Sequence, residues 1–187
     1  MSIPGPGKGG GGRERRDIAL LGALCLFLST IEYMIPKPLP FLRIGIANLP
    51  LMLALDIFPF NAFLLLAAIK ILGQALVTGT LFSYIFLFSL AGTLLSSVSM
   101  YGARRLLGPR RVSFAGIGCL GAMVSNAAQL ALAWLFVAGE GVRYIAPPFL
   151  AAGLAAGTAL GLFCEHFAAR SKWYAARARA KAGGGLS

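Results

Sequence analysis

Residues 60–77 read FNAFLLLAAIKILGQALV. Apart from Asn61, Lys70 and Gln74, every side chain in this run is apolar or absent. A helix of that length rises about 27 Å, at roughly 1.5 Å per residue. The hydrocarbon layer of a bilayer is about 30 Å thick. The run therefore predicts a helix over 60–77 that crosses a membrane, with three polar residues that need partners inside it.

The same texture continues in both directions. Upstream, helices are predicted over 18–35 and 44–58, parted by the proline-rich PKPLPF (36–41) and ended by Pro59. Proline cannot continue a helix and restricts the residue before it. Downstream, TGT (78–80) precedes a helix over 81–101, ARRLLGPRR (103–111) a helix over 114–138, and GEGVR (139–143) a helix over 144–167. The fold class is all-α, a polytopic membrane bundle of about six transmembrane helices. Composition agrees: 58% of the residues are hydrophobic and only 12% charged, against about 25% charged in soluble domains. The expected organisation is a disordered basic tail over 1–16, a six-helix domain over 17–168 and a basic tail over 169–187. The first apolar run leads into Glu32 and the proline turn without a small-residue cleavage site, so it is read as a retained helix rather than a signal peptide.

The formal net charge is +11. In a soluble protein that would point to nucleic acid; here the charges cluster at the ends and in one loop, and no nucleic-acid partner is expected. Lys8, Arg13, Arg15 and Arg16, then Arg104, Arg105, Arg110 and Arg111, then Arg170, Lys172, Arg177, Arg179 and Lys181 alternate with connections holding only Lys37, Arg43 and Arg143. The excess of Lys and Arg on cytoplasmic loops places both termini and 103–111 inside, beside anionic head groups. Cys25, Cys119 and Cys164 each lie in an apolar run without a CxxC pair, so neither a disulfide framework nor a metal site is expected, and no cofactor.

Ionisable groups cost roughly 2.5–3.5 kcal/mol near the centre of a spanning helix. Lys70 and Gln74 lie four apart, and Asn126 and Gln129 three apart, so each pair shares a helix face. Two readings stay open: these four line a cavity where Lys70 meets an anionic substrate, or they form a structural network in which Glu32 or Asp56 neutralises Lys70. Arg43 precedes a helix start and Gly45, and together with Asn48 it offers an outer anion site at a helix N-terminus; alternatively Arg43 anchors that helix at the head groups. Glu32 reads as an exposed interfacial acid or the partner of Arg43, and Asp56 as a helix cap. The candidate binding set is thus Arg43, Asn48, Lys70, Gln74, Asn126 and Gln129. Small residues at fourfold spacing, Ala19 with Ala23 and Gly153 with Gly157 and Gly161, permit close approach of helices, either within the chain or to another subunit. No catalytic set is expected: there is one histidine, and the six acids form no linked pair with a nucleophile and a base.

The stretch from Ile31 to Val77 carries a proline-rich exit from helix 1, then Arg-x-Gly-x-Ala-Asn (Arg43, Gly45, Ala47, Asn48), then an apolar helix. It resembles the Gx transporter family, also labelled heptaprenyl diphosphate synthase component I. Its layout is similar to that of the substrate-binding S components of energy-coupling-factor transporters. The resemblance implies a bacterial plasma-membrane subunit that captures a vitamin, flavin or prenyl phosphate and works with a T subunit and two ATPases. The chain has no GxxxxGK[ST] loop, so ATP hydrolysis would belong to those partners. A synthase activity would need paired aspartate-rich motifs for magnesium diphosphate; the two aspartates, Asp17 and Asp56, stand far apart. The alternatives are a membrane subunit associated with isoprenoid diphosphate synthesis, or a membrane scaffold.

Overall fold

The computed structural model describes residues 10–35, 45–108 and 111–184. These residues fold into helices: α1 (Gly10–Met34), a 3-10 turn (Ile46–Asn48), α2 (Leu49–Ala54), α3 (Phe60–Val77), α4 (Tyr84–Leu107), α5 (Phe114–Ala133) continued by a π turn, α6 (Val142–Arg170) and α7 (Lys172–Gly184). Local chemistry sets the ends. Ser83 and Ser113 accept from the backbone N–H groups of Ile85 and Gly116, each at 3.2 Å, and so start α4 and α5. Gly108, at φ 79°, ends α4 in a conformation that other residues avoid.

Five helices among the described residues are long and apolar enough to cross a membrane, and the fold is a polytopic helical bundle. The second expected span is not one of them. It is a 3-10 turn followed by α2, which holds six residues, and Leu51, Met52 and Ala54 are fully enclosed by the other helices. Gly45 (φ 83°) and Pro50 at the helix start shorten it. Because it touches no lipid, it does not need the length that lipid contact imposes. It still makes a pass through the bundle, running from Asn48 beside Lys70 to Asp56 beside Arg104.

The expected tails are also partly helical. α1 begins at Gly10, and α7 folds back under the bundle. Arg177 of α7 pairs with Asp17 of α1 at 3.0 Å, so α7 and the first half of α1 lie at one end of the bundle. Arg104 and α7 meet there too, and we call it the basic end.

The bundle is apolar outside, and its apolar core encloses a set of buried polar groups. Leu20, Phe27, Leu65, Leu72, Leu95 and Phe163 are exposed, whereas Lys70 is 4% and Glu32 2% exposed. The densest seam joins α5 to α6. A Cβ on Gly118 would lie 2.2 Å from the Gly157 carbonyl oxygen, one on Gly157 2.5 Å from that of Gly118, and one on Gly161 2.4 Å from that of Phe114. Gly153, Gly157 and Gly161 are therefore a seam inside the chain. This corrects their reading as a face for another subunit, since backbone already presses against backbone and no partner helix fits between. Ala19 and Ala23 face outward from α1.

Candidate functional site

Glu32 lies near the end of α1, and its carboxylate turns into the bundle. Its Oε1 accepts from Gly45 N–H at 3.0 Å and its Oε2 from Ala47 N–H at 3.4 Å. The left-handed backbone at Gly45 helps bring both N–H groups to one carboxylate. Hydrogen bonds from N–H groups are the form of payment-free stabilisation a buried carboxylate needs, since they replace lost water. Glu32 is thus a buried acid and not an exposed interfacial one; its other expected role, as the partner of Arg43, falls on a residue outside the described ones. Lys70 reaches across from α3. Its Nζ donates to Asn48 Oδ1 and, at 3.5 Å, to Thr93 Oγ1 on α4.

The opposite wall comes from α5 and α6. Asn126 Nδ2 donates to the Phe149 carbonyl at 3.1 Å. Gly153 makes this bond sterically feasible, because a Cβ there would sit 1.8 Å from that nitrogen. Gln129 Nε2 donates to Ser125 Oγ at 3.0 Å, while Gln129 Oε1 is buried without a partner. Gly92 lets α4 approach these groups: a Cβ there would lie 2.8 Å from Ser125 Oγ.

Between these walls is a slot of about 40 Å³, lined by Glu32, Asn48, Lys70, Gln74, Ser89, Thr93, Ser125, Asn126 and Gln129 together with Met52, Met100, Leu160 and small residues. That is room for roughly three water molecules. Five of the six expected binding residues line it: Asn48, Lys70, Gln74, Asn126 and Gln129. Arg43 lies outside the described residues. Sequence reasoning left out Ser89, Thr93 and Ser125, although Ser89 and Thr93 stand four apart in SLAGT (89–93) and so share a face.

A second polar cluster occupies the basic end. Asp56 accepts a fork of bonds from Arg104, Nε at 2.9 Å and Nη2 at 2.6 Å, and a third from the Tyr174 hydroxyl at 2.8 Å. Asp56 therefore neither caps a helix nor neutralises Lys70. Arg104 also donates to the Val112 carbonyl and stacks 4.5 Å from the Phe114 ring centroid. Burial pushes the Asp56 carboxyl up, but bonds from Arg104 and Tyr174 and the nearby cations outweigh it and hold it below the usual carboxylate range. Burial beside that carboxylate pushes the Tyr174 phenol up. Lys181 Nζ donates to the Leu55 and Phe58 carbonyls at 3.2 and 2.6 Å. Among the described residues, no group of three or more His, Cys, Asp or Glu could hold a metal.

No curated protein and no solved structure matches the chain. The profile of one family, described as heptaprenyl diphosphate synthase component I, matches residues 21–167, the part that builds the bundle, the slot and the Asp56–Arg104 pair. The chain belongs to the heptaprenyl diphosphate synthase component I family.

Proposed function

We propose that this chain is a transporter or its substrate-capturing membrane subunit, for uptake of a small anionic molecule, set in the bacterial inner membrane with both termini in the cytoplasm. The observation that carries the reading is the slot: a buried ammonium, a buried carboxylate and several amide and hydroxyl groups converge in the middle of an otherwise apolar bundle. Ionisable groups at that depth are retained where they do work on a solute or ion. A merely structural bundle would be held by small-residue seams, which this chain already has between α5 and α6. Lys70 is the group for the anion, with Asn48, Gln74, Asn126 and Gln129 for its neutral parts.

At about 40 Å³ the slot is closed to a vitamin-sized solute, so capture requires the helices to part. α3 and α4 touch far more sparsely than α4 and α5 or α5 and α6 do, and opening there would separate Lys70 from Thr93. The likeness to S components supplies the partners of the reading, a T subunit and two ATPases, with exposed Ala19 and Ala23 as a contact for the T subunit. The chain itself is then a binding protein and not an enzyme.

Native mass spectrometry of the detergent-purified protein tests this. A co-purified small molecule is expected, and Lys70→Met should lose it while Lys70→Arg retains part. A protein that is empty after purification and equally empty with Lys70 intact or replaced would remove the reading.

The family description favours a second reading, a membrane component associated with heptaprenyl diphosphate synthesis. Asp17 and Asp56 are both engaged by arginines at the basic end, so such a component would act beside a catalytic partner. Chain elongation by the purified protein alone, given farnesyl and isopentenyl diphosphates, would replace the first reading with catalysis.

A further inference from the structure

Resting on the capture reading, we propose that the slot takes a compact, wholly polar solute that combines one anionic group with at least one N–H or O–H donor, and that a prenyl phosphate is not its ligand. The two walls ask for opposite chemistry. Lys70 offers only N–H donors, so what it holds must accept. Gln129 presents the reverse. Its Nε2 is committed to Ser125 Oγ, and its Oε1 is a buried acceptor with no partner. Leaving such an acceptor unmade is unfavourable, and native proteins do so where a water, ion or ligand completes the bond. A solute that reaches both walls must therefore carry an acceptor at one end and a donor at the other.

A prenyl phosphate meets only half of this. Its ionised phosphate accepts but does not donate, and its chain needs an apolar channel. The large apolar side chains of the lining are Met52, Met100 and Leu160. Met100 is already pressed against Gly121, where a Cβ would lie 2.5 Å from its Sδ, and the α5–α6 wall is closed backbone against backbone at Gly118 and Gly157. Glu32, Lys70, hydroxyls and amides line the rest, together with glycines and alanines that leave no channel for a chain. Hydroxylated or amide-bearing carboxylates and phosphates match it.

The experiment is thermal shift and native mass spectrometry of the full chain in detergent. The probes are pantothenate, ascorbate and glycerol 3-phosphate, compared with farnesyl diphosphate. At least one donor-bearing anion should bind and raise Tm, and Gln129→Leu should weaken it about tenfold, the worth of one buried hydrogen bond. If Gln129→Leu does not fold, Gln129→Met takes its place. Farnesyl diphosphate binding that depends on Lys70 and ignores Gln129 would overturn this inference and leave the capture reading standing. No binding by any probe, with no co-purified molecule, would end both.

Discussion

At the scale of single residues, glycine sets more of this protein than any charged group does. Gly118 and Gly157 are a pair in which each lacks the atom that would strike the other's carbonyl. The obstruction is backbone, which cannot rotate aside as a side chain can. Gly157→Ala is therefore expected to destabilise the protein by about 1–3 kcal/mol, the range for forcing methyl groups into a packed core; thermal unfolding in detergent measures it. Gly102 provides the control, since a Cβ there meets nothing within 4 Å, and Gly102→Ala should leave Tm unchanged or higher. Gly153 is different in kind. Its replacement by alanine would strike the Asn126 amide, so it should disturb the slot as well as the seam, lowering ligand binding and Tm together.

At the scale of elements, α2 is the unusual one. It is too short to span and too buried to be seen by lipid, and each end is gripped by side chains from elsewhere. The Asn48 end meets Lys70, and the preceding backbone meets Glu32. The other end meets Arg104, Tyr174 and Lys181 through Asp56 and the Leu55 and Phe58 carbonyls. α7 is thereby docked through α2. Tyr174→Phe removes one bond to Asp56 without removing volume and is expected to raise hydrogen exchange in α7 by roughly ten- to a hundredfold, because a hydrogen bond to a charged group contributes about 1.5–3 kcal/mol. The pH dependence has a definite sign. The folded-state pKa of Asp56 lies below its unfolded value, so its stabilisation is complete above the unfolded pKa of about 3.9. It is lost as pH falls through the depressed folded value. Acid should loosen α7 in the wild type, whereas Asp56→Asn should show the loosened α7 already at neutral pH; exchange measured across pH 3–7 compares them.

At the scale of the whole molecule, the Asp17 part of α1, α7 and the helix end bearing Arg104 share one face. Among the described residues five helices are long and apolar enough to cross a membrane, and α2 supplies the return from the level of Glu32 to that of Asp56 that this arrangement needs. With the native cysteines replaced by serine, single cysteines at positions 111 and 180 should react with a membrane-impermeant maleimide from one side, and a cysteine at position 80 from the other. Labelling of 111 and 180 from opposite sides would break the topology.

What the sequence by itself determined was the class of the fold and most of the slot. Run length against bilayer thickness identifies spanning helices, and polar residues at helical spacing inside those runs have few places to go but the interior. Asn48, Lys70, Gln74, Asn126 and Gln129 were legible for that reason. The tertiary structure alone decided three things. It enclosed α2, since a short run of apolar residues looks the same whether lipid or protein surrounds it. It turned the Gly153–Gly157–Gly161 face inward, because small-residue spacing states that a helix will approach closely but not which helix. It also sorted the acids, giving Glu32 to the slot and Asp56 to Arg104, because charge partners are chosen by distance in space, and the sequence records only distance along the chain.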